Sequence, residues 1–169
     1  MKRKLFFVFS MMMLGFLFTG CFSEKDSPFY DSEWIMQNYD NNAQLYYHHL
    51  ILKPDHSVML RSSYADSENI IVWRGKYKIN SKKITFNFED CSRFEKGENV
   101  GQYSDKRLVK FYTGEYFYSL GLIGEDGNQT YHLQLIRPEN HFYGETKDIY
   151  GNYFEEFVKV PGKLQSFDD

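Results

Sequence analysis

The chain has 169 residues, 42% of them hydrophobic and 19% aromatic, with a formal net charge of −3. That length suits a single domain with one core, and the acidic balance argues against nucleic acid as a partner, which needs a net basic footprint. The 14 Tyr, 16 Phe and 2 Trp favour the pleated, half-buried surfaces of β-structure.

At the N-terminus Lys2, Arg3 and Lys4 precede an apolar run from Leu5 to Phe18, interrupted only by Ser10 and Gly15 and followed by short residues. This is the order of a secretory signal peptide. The run of about 14 residues falls short of the roughly 20 that a membrane-spanning helix needs. Phe18-Thr19-Gly20-Cys21 resembles the lipobox of bacterial lipoproteins, with Phe18 where that family usually places Leu. The resemblance implies that residues 1–20 are a lipoprotein signal peptide. It also implies that Cys21 is lipidated and becomes the mature N-terminus, which would tie the protein to a bacterial membrane. Phe22 follows the cysteine, where an Asp would resemble the inner-membrane retention signal, so an outer-membrane location on its periplasmic or surface face is expected. Loss of the leader removes three of the 20 Lys and Arg and none of the 23 Asp and Glu, which takes the net charge from −3 to −6. With Cys21 lipidated, Cys91 has no intramolecular partner, and a disulfide-free domain is expected. Cys91 itself reads as a buried, inert thiol, although Asp90, Ser92 and Arg93 around it have the composition of a polar turn.

Cys21 to Pro28 reads as the lipidated residue and a short polar tether. A single domain is expected over residues 29–160, with 161–169 as a tail. Period-two alternation between turn residues predicts strands over 33–39, 44–53, 57–64, 69–79, 83–89, 107–112, 115–123, 130–137 and 153–160, with a short one over 140–144. Ile71, Trp73, Gly75, Tyr77 and Ile79 share one face against Arg74, Lys76 and Lys78. Ile84, Phe86 and Phe88 repeat the pattern against Thr85, Asn87 and Glu89, and Tyr131, Leu133 and Leu135 repeat it against His132 and Gln134. Turns are expected at Lys53-Pro54-Asp55-His56, Asn80-Ser81-Lys82 and Asp126-Gly127-Asn128. Glu89 to Arg107 is the longest polar connection, expected to flank one mouth of the fold, with Phe94, Val100 and Tyr103 available to tuck back or to meet a partner. No stretch carries a convincing helical face. The fold class is therefore all-β, an antiparallel up-and-down meander of 8 to 10 strands, closed as a barrel or folded as a β-sandwich. Closure removes exposed edges and favours the barrel.

Trp34, then Leu50-Ile51-Leu52-Lys53-Pro54-Asp55-His56-Ser57-Val58, then Ile71-Val72-Trp73-Arg74-Gly75-Lys76-Tyr77-Lys78-Ile79, then Ile84-Thr85-Phe86 resembles the small lipocalin-like domains of bacterial lipoproteins. Their pattern is an early Trp, an apolar hairpin with an Asp-Gly turn, and a Trp-x-Gly-x-Tyr-x-Ile strand. His56 stands here where that turn usually has Gly, and Ser32-Glu33 precede Trp34 where classical lipocalins have Gly-x-Trp.

A barrel of this size encloses at most one small ligand. Trp73, Tyr77, Phe86, Phe88, Tyr118, Leu120, Tyr131 and Leu133 are the candidate lining, and the same residues would otherwise fill a solid core. His48 and His49 are adjacent in a predicted strand, so they point to opposite faces and cannot readily share an ion. No zinc-ligand spacing, nucleophile elbow, phosphate loop or dinucleotide fingerprint is present. No metal, cofactor or catalytic activity is expected. The expected role is a membrane-anchored module that binds a small apolar or amphiphilic ligand. The alternative is a surface or periplasmic module that binds a surface or host protein, as an adhesin or inhibitor does.

Overall fold

The computed structural model describes residues 27–80, 82–125, 128–137, 149–150 and 156–161. The strands among them are β1 (Ser32–Tyr39), β2 (Leu45–Leu52), β3 (Ser57–Tyr64), β4 (Asn69–Ile79), β5 (Lys83–Glu95), β6 (Glu98–Gln102), β7 (Gly114–Ile123), β8 (Thr130–Ile136) and β9 (Glu156–Lys159), with a one-turn helix α1 (Lys106–Val109) between β6 and β7. All belong to one antiparallel sheet of nine strands, and the expected up-and-down meander is what forms. Each strand from β1 to β5 pairs with the next, β5 pairs with β7, and β9 returns to β1 through Trp34–Lys159 and Ile35–Val158. The pairings thus close a ring of every strand but β6, which forms a hairpin with the far half of β5.

The strands predicted over 57–64 and 69–79 form with those bounds, and those near 33–39, 44–53, 115–123 and 130–137 shift by a residue at one or both ends. Two expectations are corrected. Residues 107–112 are not a strand. The Asp105 side chain accepts the Arg107 amide at 2.8 Å as an N-cap, and Leu108, Val109 and Phe111 turn onto the core. A short apolar run does not distinguish a strand from a helical turn by periodicity alone, and here the cap decides. Nor is Glu89 to Arg107 a long polar loop. β5 runs on to Glu95, reverses through Lys96 (φ 52°) and Gly97 (φ 84°), and returns as β6. Positive φ at both central residues is the twist that a two-residue hairpin needs. Tyr103 packs partly on the core, while Val100 stays exposed. The predicted strand at 140–144, residues 153–155 of the last strand, the Asp126-Gly127 turn centre and residues 1–26 lie outside the described residues.

The inward face of the ring is apolar and aromatic: Trp34, Leu50, Leu60, Trp73, Ile84 and Phe157 have no exposed surface. One end, where β1 and β5 begin, is covered by the turn at Ser27–Asp31. There Phe29 lies 5.7 Å from the Trp34 ring and 5.0 Å from the Tyr118 ring. The far end is covered by α1 and the residues after it, and the Trp73 indole donates to the Leu108 carbonyl at 2.9 Å.

The hairpin between β2 and β3 turns through a residue with positive φ. His56 sits at φ 61°, a left-handed conformation that Gly adopts without strain. Here the chain is clamped instead. The Tyr77 hydroxyl donates to the Lys53 carbonyl at 3.0 Å, and the His56 ring lies 5.6 Å from the Tyr77 ring. Asp55 accepts both the hydroxyl and the amide of Ser57, and these bonds hold its carboxyl at about 2. At Gly75 the ladder slips, with Arg74 opposite Asp90 and Gly75 opposite Phe88, so Glu89 is the extra residue of a β-bulge. A Cβ on Gly75 would lie 2.7 Å from the Phe88 Cα.

Gly75→Ala is expected to destabilise the domain by about 1–3 kcal/mol, as overpacking does, read as a lower urea midpoint. Gly121→Ala, whose Cβ would meet nothing within 4 Å, serves as the neutral control. Asp55 should titrate at about 2 by carbon-detected NMR, and Ser57→Ala should return it toward the ordinary aspartate value. The sign follows from the depressed pKa. The small contribution of this exposed group is present above the unfolded value and lost as pH falls through about 2. A native midpoint near that of free aspartate would contradict the turn geometry.

Candidate functional site

Strand alternation brings most of the predicted lining residues to the inside of the ring. Trp73, Phe86, Phe88 and Leu133 are fully buried, Tyr77 is buried, and Tyr118 and Leu120 are partly buried against the same core. These side chains meet one another. The Phe86 ring lies 5.9 Å from Phe88 and 5.5 Å from Tyr116, and Trp73 meets Tyr112 edge-on at 5.0 Å. Tyr131 is the exception, 39% exposed at the rim. Phe29, Tyr112 and Tyr116 were not legible as interior partners. Tyr112 lies in the segment that resembled a strand, and the contact of Phe29 is made by a turn.

The far end of the interior is more polar. His48 and Ser62 stand opposite each other on β2 and β3, both buried, and hydrogen-bond through the imidazole Nδ1 and the serine Oγ. Tyr46, Tyr112 and Tyr150 pack around the His48 ring. His49 points the other way and meets Glu33 at 3.1 Å, so the two histidines face opposite sides as alternation requires. Arg137 is buried and ties β8 to the covering segment, donating to the Thr113 carbonyl at 2.6 Å and to Phe111 at 3.3 Å. Its guanidinium lies over the Tyr116 ring. Burial pushes the Tyr116 hydroxyl up to about 12, with Arg137 opposing the shift. The Cys91 thiol is likewise pushed up to about 12, by burial first and by Asp90 second. A thiol held that high is not a nucleophile at neutral pH.

The outer face of β1, β8 and β9 carries unfilled space. β9 lies between β1 and β8, and an open groove of about 560 Å³ runs beside it, lined by Ile35, Gln37, Asn38, His132, Gln134 and Glu156, among others. Ile35 and Val158 give it an aliphatic floor, the amides supply donors and acceptors, and the His132 Nδ1 lies 4.0 Å from the Glu156 carboxylate. Farther along the same face, exposed Phe117 and Ile136 pair across β7 and β8. Among the described residues no three His, Cys, Asp or Glu side chains converge as a metal site would.

The end covered by Phe29 has a different rim. Leu122, Tyr131, Lys159 and Trp34 form a row across β7, β8, β9 and β1, since Leu122 pairs with Tyr131 and Trp34 with Lys159. The Lys159 ammonium lies 5.8 Å from the Trp34 ring centre and 5.6 Å from that of Tyr131. Partial burial without a carboxylate lowers its pKa.

In a Cys21→Ser background, which leaves one thiol, Cys91 is expected to react with an aromatic disulfide reagent at pH 8 only as fast as the domain unfolds. Rapid stoichiometric labelling of the native protein would contradict its burial.

Comparison with family models, with curated proteins and with solved structures gives no match. The likeness to lipocalin-like lipoproteins therefore stands on the residues quoted for it alone.

Proposed function

We propose that this chain is an exported bacterial lipoprotein, held to a membrane through lipid on Cys21, whose β-domain is a non-catalytic module that binds a protein partner on its outer surface. The observation that carries the second half is the division of space. The interior of the ring is taken by its own aromatic side chains, whereas the open groove lies outside, between β1 and β8. A surface that mixes aliphatic floor, amides and one imidazole–carboxylate pair, flanked by exposed Phe117 and Ile136, has the composition of a protein interface. The signal sequence and lipobox-like residues support the anchor, and the outer membrane is the proposed location.

A second reading is favoured by one measurement. The groove volume of about 560 Å³ falls in the range of small-molecule sites, roughly 300–1,000 Å³, so an amphiphilic ligand held on the outer face remains the alternative occupant.

Cys21→Ser is expected to abolish lipid labelling and to release the protein from the membrane fraction, and unchanged labelling would sink the anchor. For the binding surface, a photoreactive phenylalanine analogue at Gln37 or Gln134 in the full chain, expressed in the source bacterium, should give a discrete protein adduct. The same analogue at Val100 on β6 should not. Absence of a groove-specific adduct, together with a small molecule retained in native mass spectrometry, would favour the second reading.

A further inference from the structure

The rim beside Phe29 carries an exposed apolar edge that the packing of the domain does not use. Past the residues of β7 that pair with β5, the β7–β8 hairpin continues beyond the ring and presents Leu122 (52% exposed) and Ile123 (54% exposed). Tyr131 and Lys159 stand immediately behind them. The Lys159 ammonium is held against two aromatic rings, and among the described residues no carboxylate pairs with it. Exposed aliphatic tips backed by an amphipathic aromatic ring and a free cation match a phospholipid surface. Aliphatic groups enter the acyl boundary, while Tyr and Lys stay at the headgroup level.

The chain's own geometry places that surface within reach. The described chain begins at Ser27, in the turn that covers this same end of the ring. Five residues separate Cys21 from Ser27, and the six steps between them, at roughly 3.3–3.6 Å each, span at most about 22 Å. A lipid on Cys21 therefore leaves this end of the domain, and not the end closed by α1, beside the bilayer. We propose that the rim formed by Leu122, Ile123, Tyr131 and Lys159 is a membrane-docking face that seats the domain on the phospholipid surface in one orientation, with the groove between β1 and β8 turned sideways and open. This rests on the lipid anchor proposed above. Lys53 and Lys82, exposed in turns at the same end, add cations for phosphate headgroups, and Asp31 and Glu125 keep the face from being strongly basic.

The test uses the full lipidated chain on vesicles of phosphatidylethanolamine and phosphatidylglycerol carrying brominated acyl chains. A tryptophan is introduced at Ile123→Trp or, separately, at Leu122→Trp, with Val100→Trp on β6 as the distant control. Trp34 and Trp73 are fully buried and contribute the same background to each. Emission added at 122 or 123 should be quenched by the bromolipid and shielded from aqueous iodide, with the reverse at 100. Iodide access at 122 and 123 equal to that at 100, without bromolipid quenching, overturns the docking face. So does iodide shielding that precedes vesicle addition and rises with protein concentration, which would mean that a second copy covers the rim. The intact mass of the same sample reports the anchor separately. If Cys21 carries no acyl chains the anchor has failed, and quenching at saturating vesicles still decides docking.

Discussion

Pairing of β4 with β5 from Asn69–Glu95 to Ile79–Ile84 closes the ring, and it is possible because Gly75 has no side chain where the two backbones approach at the Glu89 bulge. Without that closure β4 and β5 would be open edges. The same strand ties down a segment at each end. Trp73, two residues before the bulge, bonds through its indole to α1 at one end, and Tyr77, two residues after it, bonds to the β2–β3 turn at the other. The Trp-x-Gly-x-Tyr spacing thus joins closure, a bulge and two anchoring hydrogen bonds in a single strand.

A ring of this size is just wide enough for its own side chains to fill. Among the described residues, Trp34, Trp73, Phe86, Phe88, Tyr116 and Phe157 belong to one buried core cluster, so the inward positions of the aromatic excess pack against one another. Chemistry follows the same division. Two of the ionisable groups inside, Cys91 and Tyr116, are shifted so that they stay protonated, because burial disfavours their charged forms. Groups with room around them, His132, Glu156 and Lys159, lie on the outer face or the rim. The proposed recognition by the surface and the proposed orientation by the rim therefore fall to different parts of one domain.

Much of the fold was legible because β-structure writes its period directly into sequence. Leu60 beside Ser62 and Trp73 beside Tyr77 alternate cleanly, and the strands that contain them form where the pattern placed them. What escaped did so for physical reasons. Leu108, Val109 and Phe111 are apolar in a spacing common to a strand and a helical turn, and only the Asp105 cap separates the two. The far half of β5 carries Asp90, Arg93 and Glu95 facing solvent, so it resembled a loop, and Lys96-Gly97 lacks the Asn or Asp that usually marks such a turn. The groove was not legible at all, since its lining comes from β1, β8 and β9, which lie far apart in the sequence.

The sequence by itself determined the all-β class, the inward aromatic faces and the opposite orientation of His48 and His49, because each depends on residues near one another in the chain. Only the tertiary structure decided that the inward faces pack into one core cluster, that Phe29 and α1 cover the two ends of the ring, and that Leu122, Tyr131 and Lys159 share the rim beside Phe29. Those outcomes depend on strand register and closure, which bring residues far apart in sequence to the same level of the sheet and which alternation alone leaves open.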